Sequence, residues 1–324
     1  MQLTILIPLY NEDESLPELH DWIVRVMTEH AYSYEILFID DGSTDHSWDV
    51  IEQLADRNPN VRAVRFARNS GKTAALQTGF QAARGKVVVT MDADLQDSPD
   101  EIPDLYRMIA EEGYDLVSGW KQKRYDPITK TLPTKLFNGV ARWISGVKLH
   151  DFNCGLKAYR QEVVKSLNLY GDMHRNIPIV ANWNGYGRIG EKVVQHRARK
   201  YGTTKFGLER FVNGFLDMLV IAFVHKFSKR PMHLFGGLGT LSFFLGMVMS
   251  LFVVGQKLYN ISQRISYRNA TDNPLFYFAL IAIVLGVQLF LAGFLAELYI
   301  RQSSGRTADH QIARKIGFSE TVTV

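Results

Sequence analysis

The sequence predicts an α/β protein whose mostly parallel sheet carries helices on both faces, followed by an interfacial helix and two membrane-spanning helices. Three observations carry that expectation. Short apolar, β-branched runs alternate with helical-period repeats through about the first 205 residues. Several of those runs end in acidic or polar residues, as strands do where an open α/β sheet binds ligands. Two uncharged stretches, residues 234–254 and 275–296, are each long enough to cross a bilayer.

The elements follow in order. Residues 3–9 form a short apolar strand with Tyr10, Asn11 and Glu12 at its carboxyl end. Ser15 and Glu18 have capping-box spacing, and Leu16, Leu19, Trp22, Ile23 and Val26 recur at helical period. Residues 35–39 make a second strand that ends in Asp40 and Asp41, and the next helix places Trp48, Ile51 and Leu54 on one face. A third strand covers 61–66, and a helix after Ser70-Gly71-Lys72-Thr73 ends at Gly85. The run 87–91 reads as a strand buried on both faces. A helix from about Pro99 to Glu112, stopped by Gly113, and a fifth strand at 115–118 complete the alternation. A last short strand is expected at 192–195.

Composition sets bounds. At 324 residues the chain suits about two domains, and its 46% hydrophobic content is concentrated late rather than spread evenly. A single cysteine, Cys154, excludes an internal disulfide framework and reads as a small packing residue. The net charge of +4 is too small to argue for a nucleic-acid partner. No basic segment precedes the first strand, so a cleaved leader is not expected.

The strand at 87–91 ends in Asp92-Ala93-Asp94, with Gln96 two residues on. Two carboxylates one residue apart can converge on one hard divalent cation whose remaining ligands are phosphate oxygens. A loop of solvated acids with Asp97 as a helix N-cap is the plainer alternative. What favours the site is repetition: three strand tips deliver Tyr10, Glu12, Asp40, Asp41, Asp92 and Asp94 to one rim. Gly71-Lys72-Thr73 invites a P-loop reading, but Phe66 stands where that motif needs glycine. Lys72 at a helix start can still meet a phosphate.

Residues 120–150 lose the alternation and carry Lys121, Lys123, Arg124, Lys130, Lys135 and Arg142. Residues 196–207 concentrate basic side chains around Gly202, as either a solvated, membrane-facing patch or a segment closing over a pyrophosphate. From 208 to 227, Arg210, Asn213 and Asp217 share one face while Phe211, Phe215, Leu219 and Phe223 face away, as in a helix lying in a membrane interface. Lys226, Lys229, Arg230, Arg301, Arg306, Arg314 and Lys315 flank the apolar pair and outnumber Lys257, Arg264 and Arg268 between them. By the positive-inside rule, the large domain and the tail face the cytoplasm.

Pro8-Leu9-Tyr10-Asn11-Glu12, Asp40-Asp41-Gly42-Ser43, Asp92-Ala93-Asp94-Leu95-Gln96 and the basic segment from Arg199 to Lys205 follow one another in an order that resembles the GT-A glycosyltransferases of family 2. Within that family the chain is similar to the polyprenyl-phosphate hexose synthases related to dolichol-phosphate mannose synthase, and its tail resembles the bacterial branch acting on undecaprenyl phosphate. The resemblance implies a catalytic domain over 1–207, an interfacial helix over 208–231, a two-helix membrane domain over 232–300 and a cytoplasmic tail over 301–324. It places the enzyme on the cytoplasmic side of the inner membrane and leaves a homo-oligomer open.

The resemblance also implies roles. Pro8, Tyr10, Glu12, Asp40 and Asp41 would hold the nucleotide of the donor, with Lys72, Asp92, Ala93 and Asp94 beside its phosphates. Asp92 and Asp94, backed by Gln96, would hold Mg²⁺ or Mn²⁺. Asp94, Arg199 and Lys205 would act on the reacting phosphates, and Lys135 is the nearest counterpart of the acceptor-side arginine. UDP-glucose is the first expectation for the donor and GDP-mannose the second, with an inverting transfer to polyprenyl phosphate. A processive polysaccharide synthase shares the fold, but its Gln-x-x-Arg-Trp motif fails here, because Gly139 precedes Arg142-Trp143 in place of glutamine. A non-catalytic nucleotide-sugar sensor would be marked by a broken acid pair, and Asp92 and Asp94 are both present.

Overall fold

The computed structural model describes residues 1–122, 139, 142, 145–195, 197, 231–263, 269–303 and 312–317. The chain divides into two compact units, Met1–Ile221 with Asp309–Val324, and Ala222–Ala308.

The first unit is built on a mixed sheet of eight strands among the described residues, ordered β7-β5-β6-β4-β1-β2-β3-β8. The strands are β1 (Leu3–Leu9), β2 (Tyr34–Asp40), β3 (Val61–Phe66), β4 (Val87–Thr90), β5 (Leu116–Trp120), β6 (Lys157–Arg160), β7 (Ile189–Val193) and β8 (Ile312–Ile316). β1 pairs in parallel with β2 and β4, β2 with β3, and β5 with β7. β6 runs antiparallel between β4 and β5, and β8 runs antiparallel along the edge of β3. Neither β6 nor β8 was expected from the sequence.

Strand side chains alternate between faces, and each set has its own helices. Ile5, Ile7, Phe38 and Val89 pack with α1 (Leu16–Glu29), α2 (Ser47–Arg57) and α4 (Ile102–Ala110). Leu6, Leu37, Ile39 and Val88 pack with α3 (Lys72–Ala82), α5 (Gln161–Ser166) and α6 (Ile177–Trp183). Helices therefore cover both faces, as expected. The capping box at Ser15 does not form: its hydroxyl donates to the Glu12 carbonyl at 2.9 Å, and no side chain caps α1.

In the second unit, α7 (Pro231–Ser262) and α8 (Pro274–Ser303) pack antiparallel. A Cβ on Gly239 would lie 2.7 Å from the Gly286 carbonyl oxygen, and one on Gly246 would lie 2.7 Å from that of Ala279. Glycine is what permits this approach. The Ser242 hydroxyl donates to the Ala282 carbonyl at 2.8 Å across the same contact. Leu241, Val248, Phe252 and Leu295 point outward, each more than 60% exposed. An apolar surface of that extent suits lipid rather than water. Both helices are long and apolar enough to cross a membrane, each holding an 18-residue stretch whose mean hydropathy reaches 2.0 in α7 and 2.5 in α8. The interfacial helix expected over 208–231 lies almost wholly outside the described residues.

Candidate active site

The carboxyl ends of β1, β2 and β4 lie side by side because these strands are parallel neighbours, with Leu9 opposite Asp40 and Leu6 opposite Thr90. Eight of the expected site residues line one cavity of about 380 Å³: Pro8, Tyr10, Glu12, Asp41, Lys72, Asp92, Ala93 and Asp94. Asn69 and Gly71 complete its polar wall.

Short polar contacts hold the rim. Asn11 N–H donates to Ser43 Oγ and Glu12 N–H to Ser47 Oγ, both at 3.0 Å, tying the loop after β1 to the loop after β2 and to the first residue of α2. Asn11 and Leu95 adopt left-handed backbone, with φ of 58° and 60°. Such conformations cost about 1–3 kcal/mol in a non-glycine residue and persist only where the surroundings impose them. Asp41 accepts from Ser70 N–H at 2.6 Å and from Gly71 N–H at 2.9 Å. Gly71 itself has φ 92°, which a side chain would strain, and it places Lys72 at the start of α3. One residue further, Thr73 Oγ1 lies 3.0 Å from His174 Nδ1.

Asp92 is the electrostatic centre. Burial alone would raise its pKa, but Lys72, bonded to Oδ1, with Lys121 and Lys157 nearby, holds the carboxyl down at about 2. Its other oxygen, Oδ2, lies against Gly155, where a Cβ would come within 2.6 Å. Lys121 pairs with the buried Asp97 at 2.8 Å, and its pKa is raised by the neighbouring acids against the opposing effect of burial. Lys157 is buried and donates to the Cys154 carbonyl, with its pKa lowered by burial. Burial also pushes the Cys154 thiol up to about 12, so it is protonated and inert as a nucleophile at neutral pH. His174 is held neutral, its pKa lowered to about 3 by burial and then by the charges of Lys72 and Arg175.

Asp92 and Asp94 offer hard oxygen donors on one wall, the donor chemistry that Mg²⁺ and Mn²⁺ take. No group of three or more His, Cys, Asp or Glu side chains able to hold a metal occurs among the described residues. A pair of carboxylates leaves a divalent cation open positions for oxygen ligands it brings with it, such as phosphate oxygens.

Some expectations change. Asp40 does not line the cavity: it is fully buried, directly opposite Arg65 in the β2–β3 register, and pairs with it at 3.3 Å. Gln96 does not line it either. After the left-handed turn at Leu95, its N–H donates to Asp94 Oδ1 at 3.2 Å and its carbonyl accepts from Arg197 N–H at 3.0 Å. Asp97 is no exposed N-cap but the buried partner of Lys121. Lys135, Arg199 and Lys205 lie outside the described residues. Arg197 shows where the basic segment begins, with its guanidinium 4.2 Å above the Trp22 ring and its backbone on Gln96. Lys121, Gly155, Lys157 and His174 were missed as site residues. Lys121 stood in the basic series after β5, and Gly155 closes the polar turn Asp151-Phe152-Asn153-Cys154-Gly155.

Comparison with known proteins agrees with this geometry. A family model described as Glycosyl transferase family 2 matches residues 4–167. Over 304 residues the chain is 34% identical to a dodecaprenyl-phosphate galacturonate synthase of Rhizobium johnstonii, covering 93% of this chain and 88% of the relative. An undecaprenyl-phosphate 4-deoxy-4-formamido-L-arabinose transferase of Pseudomonas fluorescens is also 34% identical, over 93% and 85% of the two chains. Among solved structures, glucosyl-3-phosphoglycerate synthase of Mycobacterium tuberculosis in complex with Mn²⁺ and UDP-glucose superposes with a TM-score of 0.53 at 20% identity, over 68% of this chain and 78% of that one. Its complex with phosphoglyceric acid gives 0.54 at 19%, over 69% and 79%. At that identity the likeness is one of fold.

Proposed function

The chain belongs to glycosyl transferase family 2, and we propose that it transfers a sugar from a nucleotide-diphosphate donor to a polyprenyl phosphate in the membrane, with inversion at the anomeric carbon. The observation that carries this reading is the pairing, in one chain, of an acid-rimmed cavity at the sheet's carboxyl edge with two membrane-length apolar helices. The curated relatives named above, which this chain matches over nearly its whole length, carry polyprenyl phosphates in their names.

The residues suit that chemistry. Tyr10, Glu12, Asp41 and Lys72 all line the cavity; the first three are assigned to base and ribose and Lys72 to the diphosphate on the family resemblance. Asp92 and Asp94 would hold Mg²⁺ or Mn²⁺, which supplies positive charge against the leaving diphosphate. A phosphate monoester is already anionic at pH 7 and attacks the anomeric carbon without a strong general base. A protonated Cys154 and a neutral, part-buried His174 agree with a site that needs none. Arg199, Lys205 and Lys135 are assigned to the reacting phosphates on the family resemblance.

A polyprenyl tail leaves a bilayer only at great cost, so the enzyme must meet it at the headgroups. The chain leaves the first unit, makes two apolar helices and returns as β8, which pairs with β3. An even number of crossings puts the tail on the side of the catalytic domain, and the flanking basic residues make that side cytoplasmic. Glucose is the sugar the sequence reading favours, whereas the relatives' names carry galacturonate and formamido-arabinose. The test is to incubate the purified protein and undecaprenyl phosphate with UDP-glucose, GDP-mannose, UDP-galacturonate or UDP-formamido-arabinose and weigh the lipid. One donor should add its glycosyl mass to the lipid phosphate. An unchanged lipid with all four overturns the reading.

A further inference from the structure

We propose that Lys72 couples the divalent cation to the nucleotide, by pairing with Asp92 in one state and with the donor's diphosphate in the other. The proposal rests on the reading of this cavity as a metal and nucleotide-sugar site and adds to it a linkage between the two ligands.

The geometry around Asp92 supplies the argument. Both carboxylate oxygens lie close to Gly155, where an added Cβ would come within 2.6 Å of Oδ2 and 3.0 Å of Oδ1, and Oδ1 carries the Lys72 ammonium. A cation drawn to the Asp92 carboxylate therefore meets the Lys72 ammonium already paired with it. The competition is resolvable because only the side chain of Lys72 has to move. Its backbone is fixed on one side by the Asp41 bonds to Ser70 and Gly71, and on the other by the Thr73–His174 contact. The side chain is 37% exposed and lines the same cavity as Asp94 and Asn69. A lysine ammonium on a flexible four-carbon stem can exchange one anion for another without rebuilding its surroundings.

The consequence is thermodynamic. A cation alone must displace Lys72 and then share the cavity with its ammonium, so it binds weakly. A diphosphate alone must draw Lys72 away from Asp92 and leave that carboxylate beside it. Together they relieve each other: the cation takes Asp92 and the diphosphate takes Lys72. Positive coupling between two ligands is the result, and it is reciprocal.

The experiment measures Mn²⁺ binding to the full-length protein in detergent by electron paramagnetic resonance, alone and with saturating UDP or GDP, for wild type, Lys72→Met, Lys72→Gln and Lys72→Arg. In wild type the nucleotide should tighten Mn²⁺ on the order of 5- to 150-fold. Removing the charge should tighten Mn²⁺ alone by about 2- to 5-fold, the worth of a half-exposed pair, and cut the nucleotide's enhancement at least as much. Lys72→Arg should keep the coupling, which separates charge from packing. If Lys72→Met and Lys72→Gln bind Mn²⁺ as wild type does with undiminished coupling, the proposal is overturned and the metal site stands. A wild-type protein that binds no Mn²⁺ with or without either nucleotide overturns both.

Discussion

At the amino edge of the sheet, Glu35 and Arg62 pair at 2.6 Å with side chains only 1% and 6% exposed. At the carboxyl edge, Lys72 and Asp92 pair with side chains 37% and 35% exposed. The first pair is locked from every side. Glu35 also accepts from Thr4 Oγ1 at 2.6 Å and Arg84 N–H at 2.8 Å, and Arg62 reaches the carbonyls of Ala82 and Gly317 at 3.2 Å. It stitches β1, β2, β3 and the chain just after β8 together. The second pair is met by solvent and by a cavity. Burial thus distinguishes a charge pair that specifies the fold from one free to change partners. Similar chemistry serves both edges, and what differs is how many other bonds each charge has.

The contrast breaks most visibly if Glu35 is removed. Glu35→Ala leaves Arg62 buried without its carboxylate, which typically costs about 3–5 kcal/mol. A large fall in melting temperature of the detergent-solubilised protein is expected, with activity per folded molecule retained at low temperature. A melting temperature within a degree or two of wild type would mean that the amino edge is no more than decoration. Asp94→Asn should do the reverse. It leaves the melting temperature nearly unchanged and lowers kcat by roughly 100- to 1000-fold, the loss seen when one charge-stabilising group leaves an active site. EDTA should act in the same direction and added Mg²⁺ or Mn²⁺ should restore turnover. Full activity in chelator would remove the metal from the reading.

How much of this was legible beforehand depended on whether the deciding contact was local. β1 to β5 were readable because apolar runs and acid tips are properties of neighbouring residues. β6 escaped because Lys157-Ala158-Tyr159-Arg160 is four residues long and flanked by charge, and only its partners β4 and β5 make it a strand. β8 was invisible for a stronger reason: its partner β3 lies about 250 residues away, beyond both apolar helices. Asp40 and Asp41 show the same limit at the site. Asp40 is the last residue of β2 and is taken up by Arg65 across the β2–β3 register, whereas Asp41 lies just beyond the strand and lines the cavity. Gln96 was misplaced because nothing in the sequence marks Leu95 for a left-handed turn.

His174 offers a way to sharpen the contrast through pH. Its folded pKa is about 3, below the ordinary 6.5, chiefly through burial. The unfolded chain therefore takes up a proton below pH 6.5 that the folded chain refuses until about pH 3. Stability falls as pH drops through that window, by up to about 1.4 kcal/mol per unit for a single group. His46 has the opposite sign, since Asp49 raises its pKa, but it is exposed. Wild type should lose about 1–2 kcal/mol more than His174→Gln between pH 6.5 and 5.0, read as a larger fall in melting temperature. Asp92, with a pKa near 2, contributes its change only below about pH 4 and stays outside this window. Parallel curves for the two proteins would show that His174 is not held neutral in the folded protein.

The smallest effect is the most telling. Lys72→Met removes one partner of an ion pair, as Glu35→Ala does, yet its cost in stability should stay under about 1 kcal/mol. Asp92 keeps solvent on one side, so losing its cation does not strand a charge in an apolar interior, and Lys121 and Lys157 remain nearby. Methionine keeps the length and packing of the stem, which leaves the charge as the only variable. For a protein of this size, 1 kcal/mol is about 2–4 °C in melting temperature, so the variant should melt within that range of wild type. Added salt should narrow the gap further, because a half-exposed pair is screened and a buried one is not. If Lys72→Met instead melts as low as Glu35→Ala, the carboxyl-edge pair is as structural as the amino-edge one. Asp92 would then hold the fold together through Lys72, and an exchange of that lysine between carboxylate and diphosphate would be too costly to occur in turnover.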